Sequence, residues 1–151
     1  MTVLAWIRPD SWNIPLFLHV LGAMIFMGAL LTAASVLALA RGRTNLLRLG
    51  YFSLLAVGLP GYLVMRIGAE WLYSKEGWKD APSEPLWIGI GYATADIGGL
   101  LLLVALLAGG FGVRKLRSGG GVGLVKASLI ISTVLLVMYV VTIWAMGAKP
   151  S

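Results

Sequence analysis

The stretch "PLFLHVLGAMIFMGALLTAA", residues 15–34, decides the fold class. It holds no Asp, Glu, Lys or Arg, and His19 is its one ionisable residue. A helix rises about 1.5 Å per residue, so about 20 apolar residues cross a hydrocarbon core of about 30 Å. The stretch therefore predicts a membrane-spanning helix that carries the only histidine of the chain at membrane depth.

The rest of the chain repeats this pattern. Short polar joints separate four apolar segments, each long enough to cross a bilayer. Joints this short favour antiparallel neighbours. The sequence predicts a single all-α domain over residues 1–151, an integral membrane four-helix bundle of up-down-up-down order. Its predicted helices occupy residues 13–40, 46–73, 86–113 and 124–147.

Composition agrees with a membrane protein and excludes several kinds of chemistry. The chain is 59% hydrophobic and 12% charged, against about 45–50% and about 25% in soluble proteins. The absence of cysteine excludes thiolate metal sites, disulfides and thiol nucleophiles. A net charge of +6 would suggest nucleic acid in a soluble domain. Here the charges follow the predicted bilayer, so we expect the lipid bilayer and no nucleic acid as a partner.

The charges and the tryptophans divide the predicted bundle into two ends. One end, called the basic end, has no acidic residue and contains Arg41, Arg43, Arg48, Arg114, Lys115, Arg117 and Lys126. The opposite, tryptophan-rich end contains Trp6, Trp12, Trp71, Trp78, Trp87 and Trp144. Basic loops stay cytoplasmic, so we expect a multi-pass protein of the bacterial inner membrane with both termini outside. The outer end would meet a second copy or a larger membrane complex.

Four ionisable residues fall within the apolar segments, namely His19, Arg66, Glu70 and Asp96. Counting along the predicted helices places all four in the half nearest the tryptophan-rich end, and Tyr139 lies at a similar depth. Ionisable groups in a membrane are costly and usually face the bundle interior. The sequence therefore predicts one polar cluster of these five residues, open to the outer side.

This cluster has a functional and a structural interpretation. Arg66 and Glu70 are four residues apart, so they share a helix face and can form a structural ion pair that Asp96 joins. Alternatively, Asp96 takes part in function, because an idle carboxylate at that depth is expensive. His19 is either a ligand or a hydrogen-bonding residue between helices.

The second apolar segment contains "VGLPGY", residues 57–62. Pro60 cannot donate a backbone hydrogen bond to the carbonyl of Ala56, so a kink is expected at Pro60 and Gly61. Such a kink either helps the helices to pack or shapes a ligand cavity or hinge.

Three motifs carry a resemblance: "LHVLGAMIFMGALLTAA" at 18–34, "PLWIG" at 85–89 and "MYVVTIWAMGAKP" at 138–150. With them the chain resembles small bacterial four-helix membrane proteins. These include a family of unknown function, the membrane domain of the copper-resistance protein D family and the small membrane-embedded protoporphyrinogen oxidases. The resemblance implies that His19 could ligate haem b or copper. The oxidases also use a lysine in a later helix, and residues 86–113 contain none, which favours the branch of unknown function.

Three functional hypotheses follow. The first is a non-enzymatic subunit or accessory protein of a membrane complex. The second is a membrane redox module that binds haem, copper or quinone through His19. The third is a small proton-linked transporter that works as a dimer, with Asp96 and Glu70 as proton carriers. No nucleophile elbow or H-E-x-x-H motif is present, so no catalytic residue is predicted.

Overall fold

The described part of the computed structural model, residues 9–148, is built from four long helices and contains no strand. The all-α prediction is therefore confirmed at this level. Trp6, Arg8 and Lys149 lie outside the described residues. All four helices are long and apolar enough to cross a membrane. They are α1 (Asn13–Leu39), α2 (Thr44–Glu76), α3 (Leu86–Leu116) and α4 (Val122–Ala148).

Two helices run three residues further than the sequence predicts, to Glu76 in α2 and Leu116 in α3. The α2 helix ends where Gly77 takes a left-handed φ of 77°, a conformation that glycine adopts without a side-chain clash. The α3 helix continues through Arg114 and Lys115, which are good helix formers and suit the negative end of the helix dipole. Polar residues thus extend the helices beyond the apolar segments.

The α1 and α2 helices pack antiparallel through three glycines, Gly22, Gly61 and Gly68, which we call the glycine seam. A Cβ at Gly61 would lie 2.8 Å from the backbone nitrogen of Phe26, and one at Gly68 would overlap the backbone of His19. A Cβ at Gly22 would overlap the backbone of Met65. Only glycine allows the two backbones to approach this closely.

The α3 and α4 helices form the second antiparallel hairpin. A Cβ at Gly112 would lie 2.8 Å from the backbone nitrogen of Val125, and one at Gly98 would lie 2.8 Å from the hydroxyl of Tyr139. The hairpins meet along α1 and α4, where the ring of Phe26 contacts the ring of Tyr139 edge-on at 5.1 Å between centroids. The α2 and α3 helices are neighbours with few close backbone contacts, and a cleft lies between them toward the basic end.

A π-turn over Leu54–Gly58 lies just before Pro60, next to the position where the sequence predicts a kink. The backbone N–H of Leu59 donates to the carbonyl of Leu54, five residues earlier. This wider turn accommodates the missing donor of Pro60, and the helix then continues to Glu76. Gly61 belongs to the glycine seam, so this region takes part in helix packing.

Large apolar side chains are exposed on every helix, as Phe17, Ile67, Leu100 and Val137 show with exposed fractions of 60% or more. Soluble monomers rarely carry apolar surface on this scale. The described bundle is therefore suited to a hydrocarbon environment.

The glycine seam predicts a position-specific loss of stability on α1. We expect Gly22→Ala to lower the free energy of unfolding in detergent by about 1–3 kcal/mol, because its methyl group would overlap α2. Gly28→Ala is the matched control, since nothing lies within 4 Å of its Cβ position. It should change the free energy by less than about 1 kcal/mol. Equal losses in the two variants would contradict the seam.

Candidate functional site

A cavity of about 450 Å³ lies between the four helices in the tryptophan-rich half. This volume falls within the range of about 300–1,000 Å³ that is usual for sites of small molecules and cofactors. Its wall is mostly apolar, and its polar members come from all four helices. They are His19, Arg66, Tyr92, Tyr139 and Thr142.

His19 reaches the cavity with one ring nitrogen already engaged. Gly68 lets the backbone of α2 approach His19, and the Nδ1 atom of His19 lies 3.0 Å from the carbonyl oxygen of Met65. A carbonyl oxygen only accepts, so Nδ1 carries the proton of the neutral ring and Nε2 is left as an acceptor. A histidine that ligates a metal is usually held in this way.

Two phenol hydroxyls on the cavity wall, those of Tyr92 and Tyr139, are buried without a hydrogen-bond partner among residues 9–148. Tyr139 is only 5% exposed, and Gly98 and Phe26 fix its ring from two sides. A buried unpaired hydroxyl costs about 1–3 kcal/mol. A polar ligand atom that reached either hydroxyl would remove that cost.

Four of the six methionines in the chain also line the cavity. They are Met24, Met27, Met65 and Met146. Thioethers are soft ligands that, together with imidazole, suit Cu(I) and haem iron. Within the described residues, no group of three or more His, Cys, Asp or Glu side chains could hold a metal ion. The donor set of the cavity is therefore one imidazole with thioethers and phenols.

Arg66 joins the cavity to an ion-pair cluster at the junction of α2 and α3. Its Nη2 atom lies 2.8 Å from Oδ1 of Asp96 and 3.1 Å from Oε1 of Glu70. Its guanidinium stacks over the ring of Tyr92, 4.8 Å from the centroid. The side chain of Asp96 is 66% exposed and that of Arg66 only 26%. The carboxylates thus lie on the outer surface, and Arg66 reaches inward from them.

The five predicted cluster residues therefore divide into two groups that share Arg66. His19 and Tyr139 line the cavity with Arg66, whereas Glu70 and Asp96 are absent from its wall. The expectation that Asp96 faces the interior differs from the structure. Ala95 takes the buried position at this turn of α3, and a step of one residue turns Asp96 away from the interior, toward the cleft beside α2.

Two polar residues of the cavity wall, Tyr92 and Thr142, were not among the predicted cluster residues. Tyr92 precedes Asp96 by four residues, so helical spacing alone places it near the partner of Asp96, which is Arg66. Thr142 lies on α4, and its hydroxyl donates to the Oγ1 atom of Thr94 on α3 at 2.9 Å. No sequence signal marks that pair.

The described residues thus form a bundle of four helices able to cross a membrane, with a cavity between them that His19 lines. A scan of the chain against protein-family models found no matching family, and searches among curated proteins and solved structures found no match.

The ion-pair cluster predicts strong coupling between Arg66 and Asp96. We expect Arg66→Gln to lower the free energy of unfolding in detergent by about 1–3 kcal/mol, because two carboxylates lose their cation. Adding Asp96→Asn should recover part of the loss, giving a coupling energy of about 1 kcal/mol or more in a double-mutant cycle. Ser74→Ala, at an exposed position of α2, is the control. Additive losses would show that the pair is energetically silent.

Proposed function

We propose that the protein is a multi-pass protein of the bacterial inner membrane, with the basic end in the cytoplasm and both termini outside. Support comes from the apolar length of the four helices and from their exposed apolar side chains. The seven basic residues at one end, without an acidic residue, support this orientation.

We further propose that the cavity binds a ring-shaped, apolar redox cofactor through His19. The proposal rests on two polar groups, on His19 and Tyr139, that line the same mostly apolar cavity. The Nε2 atom of His19 is left as an acceptor by the Met65 hydrogen bond, and the hydroxyl of Tyr139 is buried without a partner among the described residues. Both groups are fixed by glycine contacts, so they are preorganised for a ligand.

The residues fit three cofactor types to different degrees. Haem b would be held by the imidazole of His19 and by a thioether of Met146 or Met65. The carbonyl oxygens of a quinone would accept hydrogen bonds from Tyr92 and Tyr139, and the hydroxyl of its quinol form would donate to Nε2 of His19. Copper alone would leave most of the 450 Å³ unfilled. The volume therefore favours a ring cofactor, haem b or quinone, over a bare ion.

In this proposal, a bound haem b or quinone would supply one-electron chemistry. The chain itself would bind and orient the cofactor and keep it from water. The resemblance to the copper-resistance protein D and protoporphyrinogen oxidase families, which implies a ligating His19, agrees with this role. We place the module within a larger membrane complex or a homodimer, as the tryptophan-rich end suggests.

A non-enzymatic accessory subunit is the second candidate, and one observation favours it. The hydrogen bond from His19 to Met65 joins α1 to α2, so His19 has a structural role even without a ligand. No observation favours the proton-linked transporter, because its proposed proton carriers, Glu70 and Asp96, do not line the cavity.

The cofactor proposal is tested on protein purified from bacterial membranes in mild detergent. We expect about one cofactor per chain, detected as a Soret band or as extractable quinone, and at least a tenfold loss in His19→Ala. Tyr139→Phe should weaken retention by about three- to tenfold, as expected when a hydrogen bond of about 1 kcal/mol is removed. Thr32→Ala is the matched control on α1, because Thr32 is exposed and bonds only its own helix.

A preparation free of both haem and quinone would contradict the proposal. A destabilised His19→Ala variant of such an empty preparation would show that the hydrogen bond to Met65 holds α1 to α2, as the second candidate expects.

A further inference from the structure

A second cavity, of about 380 Å³, lies in the cleft between α2 and α3 toward the basic end. We call it the lipid groove. Its apolar wall includes Phe52 and Leu55 from α2 and Leu107 and Phe111 from α3, all four of them exposed. Tyr51 closes the bottom, because its hydroxyl would lie 3.0 Å from a Cβ at Gly110. The groove is thus a furrow of apolar side chains between two helices.

Each wall of the groove ends in an arginine. Arg114 belongs to the lining on α3, one turn beyond Gly110. On α2, Arg48 precedes Tyr51 and Phe52 by three and four residues, so it shares their helix face. From Leu107 to Arg114 the helix rises about 10 Å. The groove therefore leads from an apolar floor to a cationic rim.

No carboxylate neutralises this rim. The only ion pairs among residues 9–148 are those of Arg66 with Glu70 and Asp96. All six acidic residues of the chain lie toward the opposite end, and the basic end holds seven Arg and Lys residues. A second copy docking here in parallel would bring like charges together, which disfavours association.

We propose that the lipid groove binds an anionic phospholipid of the basic-end leaflet. An acyl chain would lie along the aromatic and aliphatic wall, and the phosphate would bind Arg114 and Arg48. Arginine presents a planar fork of donors that matches phosphate oxygens, and basic pockets between membrane helices take anionic head groups. This inference rests on the proposed membrane location and not on the cofactor.

The test is native mass spectrometry of the full chain in detergent, with phosphatidylglycerol and phosphatidylcholine of identical acyl chains. We expect selective retention of one phosphatidylglycerol and about a fivefold loss of it in Arg114→Gln. Leu55→Trp, which fills the groove, should lower retention of the same lipid. The matched controls are Arg41→Gln at the basic end and Leu31→Trp on the exposed face of α1, and both should retain it as the wild type does.

Equal retention of the two lipids, or equal loss in Arg114→Gln and Arg41→Gln, would overturn the proposal. A dimer that Leu55→Trp dissociates would also overturn it, because the groove would then be a contact between copies. Arg114 is exposed and outside every ion pair of the described residues, so its variant carries the test without a folding defect. His19→Ala should retain the lipid, which separates this result from the cofactor test.

Discussion

Close backbone contact between α1 and α2 at the glycine seam is the constraint on which the rest of the structure depends. Apolar side chains gain little by leaving lipid for a helix interface, so membrane helices associate through close packing and interhelical hydrogen bonds. Gly22, Gly61 and Gly68 supply the close packing. The same approach brings His19 within 3.0 Å of the Met65 carbonyl. The packing of one helix pair thereby sets which nitrogen of the only histidine is available to a ligand.

The same geometry explains why the bundle holds a cavity. The two hairpins are tight internally, where glycines replace side chains, and they meet through aromatic rings such as those of Phe26 and Tyr139. Rings of this size hold the hairpins apart in the tryptophan-rich half, and methionines line the space between them. Arg66 spans its edge and carries two carboxylates on its outer side. The polar residues therefore lie around the cavity and leave its volume open.

Much of the fold followed from residue patterns alone. Apolar length predicted four helices. Counting along them placed His19, Arg66 and Tyr139 in one half of the bundle, where all three line the same cavity. The direction in which Asp96 points could not be predicted from the sequence. Because α3 is apolar on all sides, helical spacing does not show which face lies in the core and which faces the cleft. The ends of α2 and α3 were also predicted too early, because their last residues are polar and the prediction used the length of apolar segments.

The cavity itself was beyond prediction from sequence. It depends on how close the hairpins come, and therefore on pairs such as Gly98 with Tyr139 that are far apart in the chain. The π-turn at Leu54–Gly58 could not be predicted from the sequence either. Proline predicts an irregular helix, but the position of the irregularity depends on packing with α1.

A nuclear magnetic resonance spectrum of the protein in lipid bilayers, with ¹⁵N in histidine rings only, shows which nitrogen of His19 carries the proton. His19 is the only histidine, so the two ring signals need no further assignment to a residue. In the neutral ring, we expect a protonated Nδ1 that donates to the Met65 carbonyl and an unprotonated Nε2. A proton on Nε2, with Nδ1 bare, would contradict this expectation.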